Sequence, residues 1–298
     1  MSHDHDHDHE HKNDHRRLVI ALSITGGYCL VEFIGGWLTH SLALLSDAGH
    51  MLSDVTAMGL SLFAAYVAAL PVTSQKTFGY YRAEILAAFV NGLTLWLIAG
   101  IIFREAYYRF FTPAEVHGHG MILIASIGLG INLLTAWMLH GARHTNLNLH
   151  GVFLHVLSDA LGSTGAIVAG VGIVWTGWHW VDPLTSIVIG GLILLSSFSL
   201  VRESVDILMQ ATPRHLDLAE VQRTLEAVTG VTRIHDLHVW TLSSGLFTLT
   251  AHAVVNGATD HHQLLDALEK TIYDRFGIDH ITIQLEPQDR QPGEPAHF

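Results

Sequence analysis

The sequence predicts an α-helical membrane protein of six transmembrane helices, followed by a small water-soluble α+β domain, and three features predict it. Charged residues make up only 14% of the 298, where a soluble domain carries about a quarter. The shortfall is concentrated in residues 18–203, while residues 204–298 have ordinary soluble composition. Six apolar stretches reach the ~20 residues needed to cross a hydrocarbon core, and after them the pattern changes to short strands and amphipathic helices.

The chain opens with Met1–Lys12, MSHDHDHDHEHK. A secretory leader begins with basic residues and this acidic, histidine-rich start does not, so the first apolar stretch is expected to stay as a span. The six stretches are Leu18–Leu38, Ser41–Leu70, Ala83–Phe111, Met121–Leu139, Leu149–Gly177 and Pro183–Val201. Turn or polar residues break them at Thr39-His40, Pro71–Arg82, Thr112–Gly120, His140–Asn148 and Trp178–Asp182. Buried helices of a soluble protein would not come six in a row with so little charge between them. An even number of spans puts both ends of the chain on one side, and basic residues choose which. Lys12, Arg16, Arg17, Lys76, Arg82, Arg143 and Arg202 fall on the side of the termini, and only Arg104 and Arg109 lie near the other. Both termini are therefore expected in the cytoplasm, with the chain in the inner cell membrane.

The polar part reads helix, strand, strand, helix, strand. Leu216–Val228 is amphipathic, Val231–Leu242 and Leu246–Val255 have strand composition around Ser243-Ser244-Gly245, and His261–Phe276 carries Leu264, Leu265, Leu268 and Ile272 at helical spacing before a last strand, Asp279–Leu285. That order fits a ferredoxin-like domain. The expected organisation is a histidine-rich tail at 1–17, a membrane domain at 18–203, a cytoplasmic domain at 204–290 and a short tail at 291–298. The first tail cannot bury enough apolar surface to fold and is expected to bind metal loosely. His140, His144 and His150 form a second, sparser tract.

Several function classes are excluded early. The net charge of −12 leaves no basic face for nucleic acid. The single cysteine, Cys29, permits neither an intrachain disulfide nor a CxxC site. No GxGxxG or Walker loop occurs, so nothing points to nucleotide-driven pumping. What stands out is histidine, 23 residues of it, more than packing requires.

Ionisable groups inside a bilayer cost at least ~2.5 kcal/mol each, so each marks a functional hypothesis. The second span holds Asp47, His50 and Asp54, and the fifth holds His155 and Asp159. Both contain His-x-x-x-Asp, whose i,i+4 spacing stacks the two side chains on one helix face. Two such faces opposed offer two imidazoles and two carboxylates. That set suits Zn²⁺, and also Co²⁺, Cd²⁺ or Fe²⁺. Asp47, three residues before His50 on the same stripe, suits a role orienting the His50 ring, with direct ligation and plain solvation as alternatives. Glu32, Asn91 and Asn132 either line a pathway or bond between helices, the second being the commoner use.

At these residues the chain resembles the cation diffusion facilitator family, in particular its zinc-exporting members. The resemblance runs through Ser41–Asp54 (SLALLSDAGHMLSD), Phe78–Glu84 (FGYYRAE), His155–Gly162 (HVLSDALG), Asp182-Pro183 and His235–Thr241 (HDLHVWT). It implies a homodimer, a cytoplasmic ferredoxin-like domain, and export of divalent cations in exchange for protons. It also implies that His50, Asp54, His155 and Asp159 form the transport site. Some members carry a further zinc site in the loop between spans two and three. Here that loop, Thr73–Arg82, has no histidine or aspartate, and the site is expected to be absent. Arg82 and Asp206 resemble a charge pair that interlocks protomers in relatives, with a solvated pair as the alternative.

In the polar domain His235, His252, His262, His280 and Glu286 are candidate ligands, for zinc acting as a regulatory as well as a transported ion. The resemblance matches His235, His252 and His262 best. His238, with Trp240, alternates onto the other face of its strand from His235 and is expected to pack. The rival readings are an uptake carrier or channel with the same ligands, export of Cd, Co, Ni or Fe rather than zinc, an intramembrane metalloenzyme, and a membrane-anchored sensor. The enzyme would need a motif such as His-Glu-x-x-His, which the chain lacks. The sensor leaves four intramembrane ligands without a purpose.

Overall fold

A computed structural model describes residues 23–140, 147–243, 245–256 and 260–288. The tails at 1–17 and 291–298, the start of the first span, and the side chains of His140, His144, His150 and His155 lie outside what it describes. The chain forms two compact units, residues 23–59 with 90–200, and residues 60–89 with 201–288.

The long helices are α1 at residues 23–39, α2 Leu42–Ala68, α3 Ala83–Phe111, α4 Gly118–His140, α5 Leu147–Thr176 and α6 Val181–Leu208. Five of them, α2 to α6, are long and apolar enough to cross a membrane. α1 enters the described residues already helical, so the first expected span is seen only in its second part.

In the first unit the outward faces are apolar, with Leu30, Ile34, Trp37, Leu97, Leu123, Trp137, Leu161, Trp175 and Leu195 all exposed. So large an apolar surface is stable only against lipid. The interior is built largely from small and branched residues, among them Ala43, Ala99, Ala125, Ala166, Ala169, Ile173 and Ile189. Without a hydrophobic drive between helices in lipid, close backbone approach supplies the packing. At the α4/α5 crossing, a Cβ on Gly118 would stand 3.1 Å from the Gly170 carbonyl oxygen, and one on Gly170 would stand 3.3 Å from that of Gly118. Hydroxyls are turned back onto their own helices, as in Ser46 to the Leu42 carbonyl at 2.6 Å and Ser197 to that of Ile193 at 2.6 Å.

The turn from α1 into α2 is tight. His40 takes a left-handed backbone, φ 56°, and the freed amides at the start of α2 are met from another helix. The Asp182 carboxylate of α6 accepts from Ser41 Oγ at 2.7 Å, the Leu42 amide at 2.8 Å and the Ala43 amide at 3.1 Å. A carboxylate at a helix N-terminus meets both the orphan donors and the helix dipole. Arg109 Nη1 of α3 lies 3.3 Å from the same carboxylate and donates to the His40 carbonyl at 2.6 Å.

The second unit carries a three-stranded sheet in the order β1-β2-β3 with two helices: α7 Leu218–Glu226, β1 Val231–Ser243, β2 Leu246–Val255, α8 His261–Phe276 and β3 His280–Pro287. β1 and β2 are antiparallel; β3 returns across α8 parallel to β2. This is the predicted order of elements, an α+β fold with helices on one face of a sheet. Asp217 caps α7 and Asp260 caps α8, whose end is closed by Gly277 in the left-handed conformation that glycine adopts without a Cβ penalty. Val221, Leu225, Leu264, Leu268 and Ile272 from the helices pack on Ile234, Val239, Leu249, Ala251 and Ala253 of the sheet. The opposite face of the sheet carries the histidines.

Candidate metal centres

In the first unit α2 presents Asp47, His50 and Asp54 at helical spacing, and His50 Nε2 stands 3.7 Å from Asp54 Oδ2. Both are partly exposed, while Asp47 and Asp159 are buried. α5 meets this stripe through a glycine: a Cβ on Gly162 would lie 3.4 Å from Asp47 Oδ1. Gly162 follows Asp159 by three residues and so shares its helix face. The α5 face that carries Asp159 therefore packs against the α2 stripe. α5 runs through position 155 one turn before Asp159.

The partners of three surrounding polar residues emerge only in three dimensions. Glu32 of α1 is fully buried, accepts from Tyr28 Oη at 3.3 Å and shares a hydrogen bond with Asp47. It thus sits beside the candidate site. Asn91 and Asn132 serve as inter-helix fasteners, accepting from Ser53 Oγ at 3.1 Å and donating to Ser163 Oγ at 3.4 Å respectively.

In the second unit His235, His252 and Glu286 converge, with one ligand atom from each lying within 4.8 Å of the others. β1 and β2 bring the histidines together as direct partners, their ring centroids 5.1 Å apart. β3 adds Glu286, whose Oε2 lies 3.1 Å from His235 Nε2 and whose Oε1 lies 3.2 Å from His252 Nδ1. Gln284 steadies the carboxylate by donating to Oε1 at 2.8 Å. A tetrahedral zinc with bonds of about 2.1 Å places its ligands roughly 3.4 Å apart, close to these separations. His252 Nδ1 is buried and faces Glu286 Oε1 without the alignment of a hydrogen bond, as two donors to one metal would. Two imidazoles and a carboxylate therefore fit a zinc-like ion.

Strand geometry changes the expected face of His238 and, within one chain, sets His262 and His280 apart from this cluster. Asp236 has φ 52° and the β1–β2 register slips between His235 and His238, so β1 spends one extra residue there. That bulge reverses the alternation. His238 pairs with Thr250, two residues from His252, and thus lies on the same face as His235 rather than the opposite one. It is exposed and sits 2.9 Å from Asp236 Oδ1. This hydrogen bond is the main cause holding the Asp236 carboxyl below the ordinary carboxylate range. His262 is not part of the cluster: it lies exposed in the first turn of α8, a helix packed on the other face of the sheet. His280 is on the histidine face of β3 but pairs with Thr248, four residues from His252, about 13 Å along the strand. Its ring rests edge-on against Phe78, 5.4 Å away.

Arg82 and Asp206 are expected to pair between protomers, and within the single chain Asp206 meets other arginines. Asp206 Oδ2 lies 3.0 Å from Arg214 Nη2 and 4.0 Å from Arg202 Nε. Both partners are nearer in sequence, one on the same helix four residues away.

Comparison with known proteins gives two family matches along the chain. A model of the cation efflux transmembrane domain matches residues 18–209, and one of the cation efflux protein cytoplasmic domain matches residues 213–288. The cadmium, cobalt and zinc/H+-K+ antiporter of Bacillus subtilis is 45% identical over 276 residues, 91% of this chain and 88% of that protein. The zinc transporter ZitB of Escherichia coli is 43% identical over 278 residues, 93% of this chain and 88% of that protein. Among solved structures, the metal-bound C-terminal domain of the CzcD transporter from Cupriavidus metallidurans is 43% identical. It covers 24% of this chain and 99% of that structure, with a TM-score of 0.23.

Proposed function

The chain belongs to the cation efflux family, and from that premise we propose that it exports divalent cations, zinc foremost, in exchange for protons. The observation that carries the proposal is the packing of the Asp47-His50-Asp54 stripe of α2 against the Asp159–Gly162 face of α5 within membrane-spanning helices. His50, Asp54, His155 and Asp159 hold the cargo ion, with Asp47 and Glu32 beside them. Imidazole and carboxylate bind a metal only when deprotonated, so the same groups take up either the ion or protons. When the site faces the cytoplasm it loads metal; when it faces the far side, protons displace the metal and return inward. The proton gradient supplies the work and no covalent bond changes.

The likeness to named zinc, cadmium and cobalt transporters supports this cargo class. Six spans, counting the one that includes α1, place both termini in the cytoplasm of a cell whose inner membrane holds the protein as a homodimer. His235, His252 and Glu286 form a second, regulatory centre in the cytoplasmic domain. Zinc there favours the protomer arrangement in which its ligands are best placed, and only such a difference in affinity lets it bias transport.

The test is zinc flux in vesicles reconstituted with the purified protein, with and without an imposed proton gradient. Outward flux should accelerate when the receiving compartment is acidic. Flux indifferent to the gradient would identify a channel instead.

A further inference from the structure

In a regular β1 the residue after His235 would point toward the helices, because side chains alternate along a strand. That side is core: Ile234 and Val239 are buried there, and Leu237 packs on the same cluster. Asp236 escapes it by taking a left-handed backbone, φ 52°, at the register slip between His235 and His238. Its carboxylate lies among the histidines instead, with Oδ1 2.9 Å from His238 Nε2 and Oδ2 3.8 Å from His252 Nε2. A left-handed backbone is costly for a residue with a Cβ, and such conformations collect at functional sites. Bulges likewise occur where a side chain is re-aimed beside a site.

The two ring nitrogens of His252 consequently face two different carboxylates. Nδ1 is turned to Glu286 Oε1, 3.2 Å away, on the side where His235 and Glu286 offer their own ligand atoms. Nε2 is turned to Asp236. A neutral imidazole carries one ring hydrogen, so a metal on Nδ1 requires that hydrogen on Nε2. In metal sites the second nitrogen of a ligating histidine almost always donates to a carboxylate, a carbonyl or water, which fixes the tautomer and the ring plane. Asp236 stands at that end of the ring. Its orientation is held from the other side, because His238 Nε2 donates to its Oδ1. Asp236 is not one of the three residues whose ligand atoms converge, which places it behind the imidazole and not on the ion.

We propose that Asp236 is a positioning residue of the cytoplasmic centre, keeping the His252 hydrogen on Nε2 so that Nδ1 is presented to a zinc-like ion, with His238 steadying the carboxylate. The 3.8 Å between Nε2 and Oδ2 is longer than a hydrogen bond. A small turn of either side chain or one bridging water spans it, and both favour the same tautomer. This role rests on the reading of His235, His252 and Glu286 as a metal centre and adds the residue that orients it. It also gives the left-handed backbone at Asp236 a purpose that the packing of the core does not supply.

The test uses the full-length protein carrying Asp54→Ala and Asp159→Ala, so that the membrane site does not contribute. Zinc affinity is read by competition with a chelator that strips loosely held ions, and coordination by the visible absorption of bound Co²⁺. Asp236→Gly removes the carboxylate and suits the left-handed backbone; Asp236→Asn keeps one acceptor oxygen. The glycine variant should bind zinc about tenfold more weakly, and the asparagine variant should retain more of the affinity. In chelator the thermal midpoint of Asp236→Gly should match that of its parent, and at saturation its Co²⁺ spectrum should be unchanged because the ligands are the same. His238 is half-exposed, so His238→Ala keeps the test decisive should Asp236→Gly fail to fold, and it too should weaken zinc binding. Parent-like affinity in Asp236→Gly, or in both Asp236→Asn and His238→Ala, would overturn the positioning role while leaving the centre in place. A changed Co²⁺ spectrum in Asp236→Gly would overturn it by making Asp236 a ligand. Absence of zinc binding in the parent would overturn the centre and this role together.

Discussion

Replacing Glu286 by glutamine probes the cytoplasmic centre with little change of shape. The variant keeps the volume of the side chain and one acceptor, and loses the charge that faces His235 Nε2 at 3.1 Å and His252 Nδ1 at 3.2 Å. An amide oxygen is a far poorer zinc ligand than a carboxylate. Disturbing a ligand's supporting contacts alone costs 10- to 100-fold in metal affinity, so losing one of three donors should cost about 100-fold, or roughly 2.8 kcal/mol. Linkage turns this into stability. At zinc 100 times the parent Kd, binding adds about 2.7 kcal/mol, whereas at the same zinc the variant gains only about 0.4 kcal/mol. For a domain of this size the difference of about 2.3 kcal/mol moves the midpoint by roughly 9–18 °C. The assay is thermal unfolding followed by near-ultraviolet circular dichroism, in buffered zinc and in chelator. Both proteins carry Asp54→Ala and Asp159→Ala so that the membrane site does not contribute. A zinc-dependent rise in Glu286→Gln equal to that of its parent would refute the assignment.

The remaining predictions concern the membrane unit. Asp54→Ala or Asp159→Ala should abolish zinc flux in vesicles while leaving a protein that inserts and elutes as a dimer; wild-type rates in both would move the cargo site elsewhere. Asp182→Ala should destabilise the protein by about 3–5 kcal/mol, because it strands Arg109 and the amides of Leu42 and Ala43 in a buried setting. Asp182→Asn, which keeps one acceptor, should lose less, and equal thermal midpoints for all three proteins would show that this fastening contributes nothing.

How much was legible in the sequence depended on whether geometry is set locally. His50 and Asp54 share a face because 3.6 residues make a turn, and no tertiary knowledge is needed to see it. That Gly162 of α5 is what meets Asp47, or that Asp182 reaches 140 residues back to cap α2, depends on which helices adjoin, and one sequence carries no such information. Glu32 was legible as a buried acid but not as a neighbour of Asp47, for the same reason. In the polar domain the five candidate ligands were named by residue type, and the fold then selected among them. α8 turns its apolar stripe to one face of the sheet while His235, His252 and Glu286 occupy the other, which leaves His262 outside.

The bulge at Asp236 is the instructive failure, because its signal was present. Ile234 and Val239 are both buried and five residues apart, an odd spacing that no regular strand can place on one face. Strict alternation must give up one of them, and with it the position of every side chain that follows. An extra residue between them resolves the conflict, and Asp236 is a residue type that tolerates the left-handed conformation such an insertion demands. Reading His-Asp-Leu-His by period two separated His235 from His238. Reading it from the two core residues inward puts both histidines on the open face, with Asp236 within 3.8 Å of His252 and 2.9 Å of His238. The bulge thus gives the centre an acidic neighbour at no loss to the core, since Ile234 and Val239 both remain buried on the helix side.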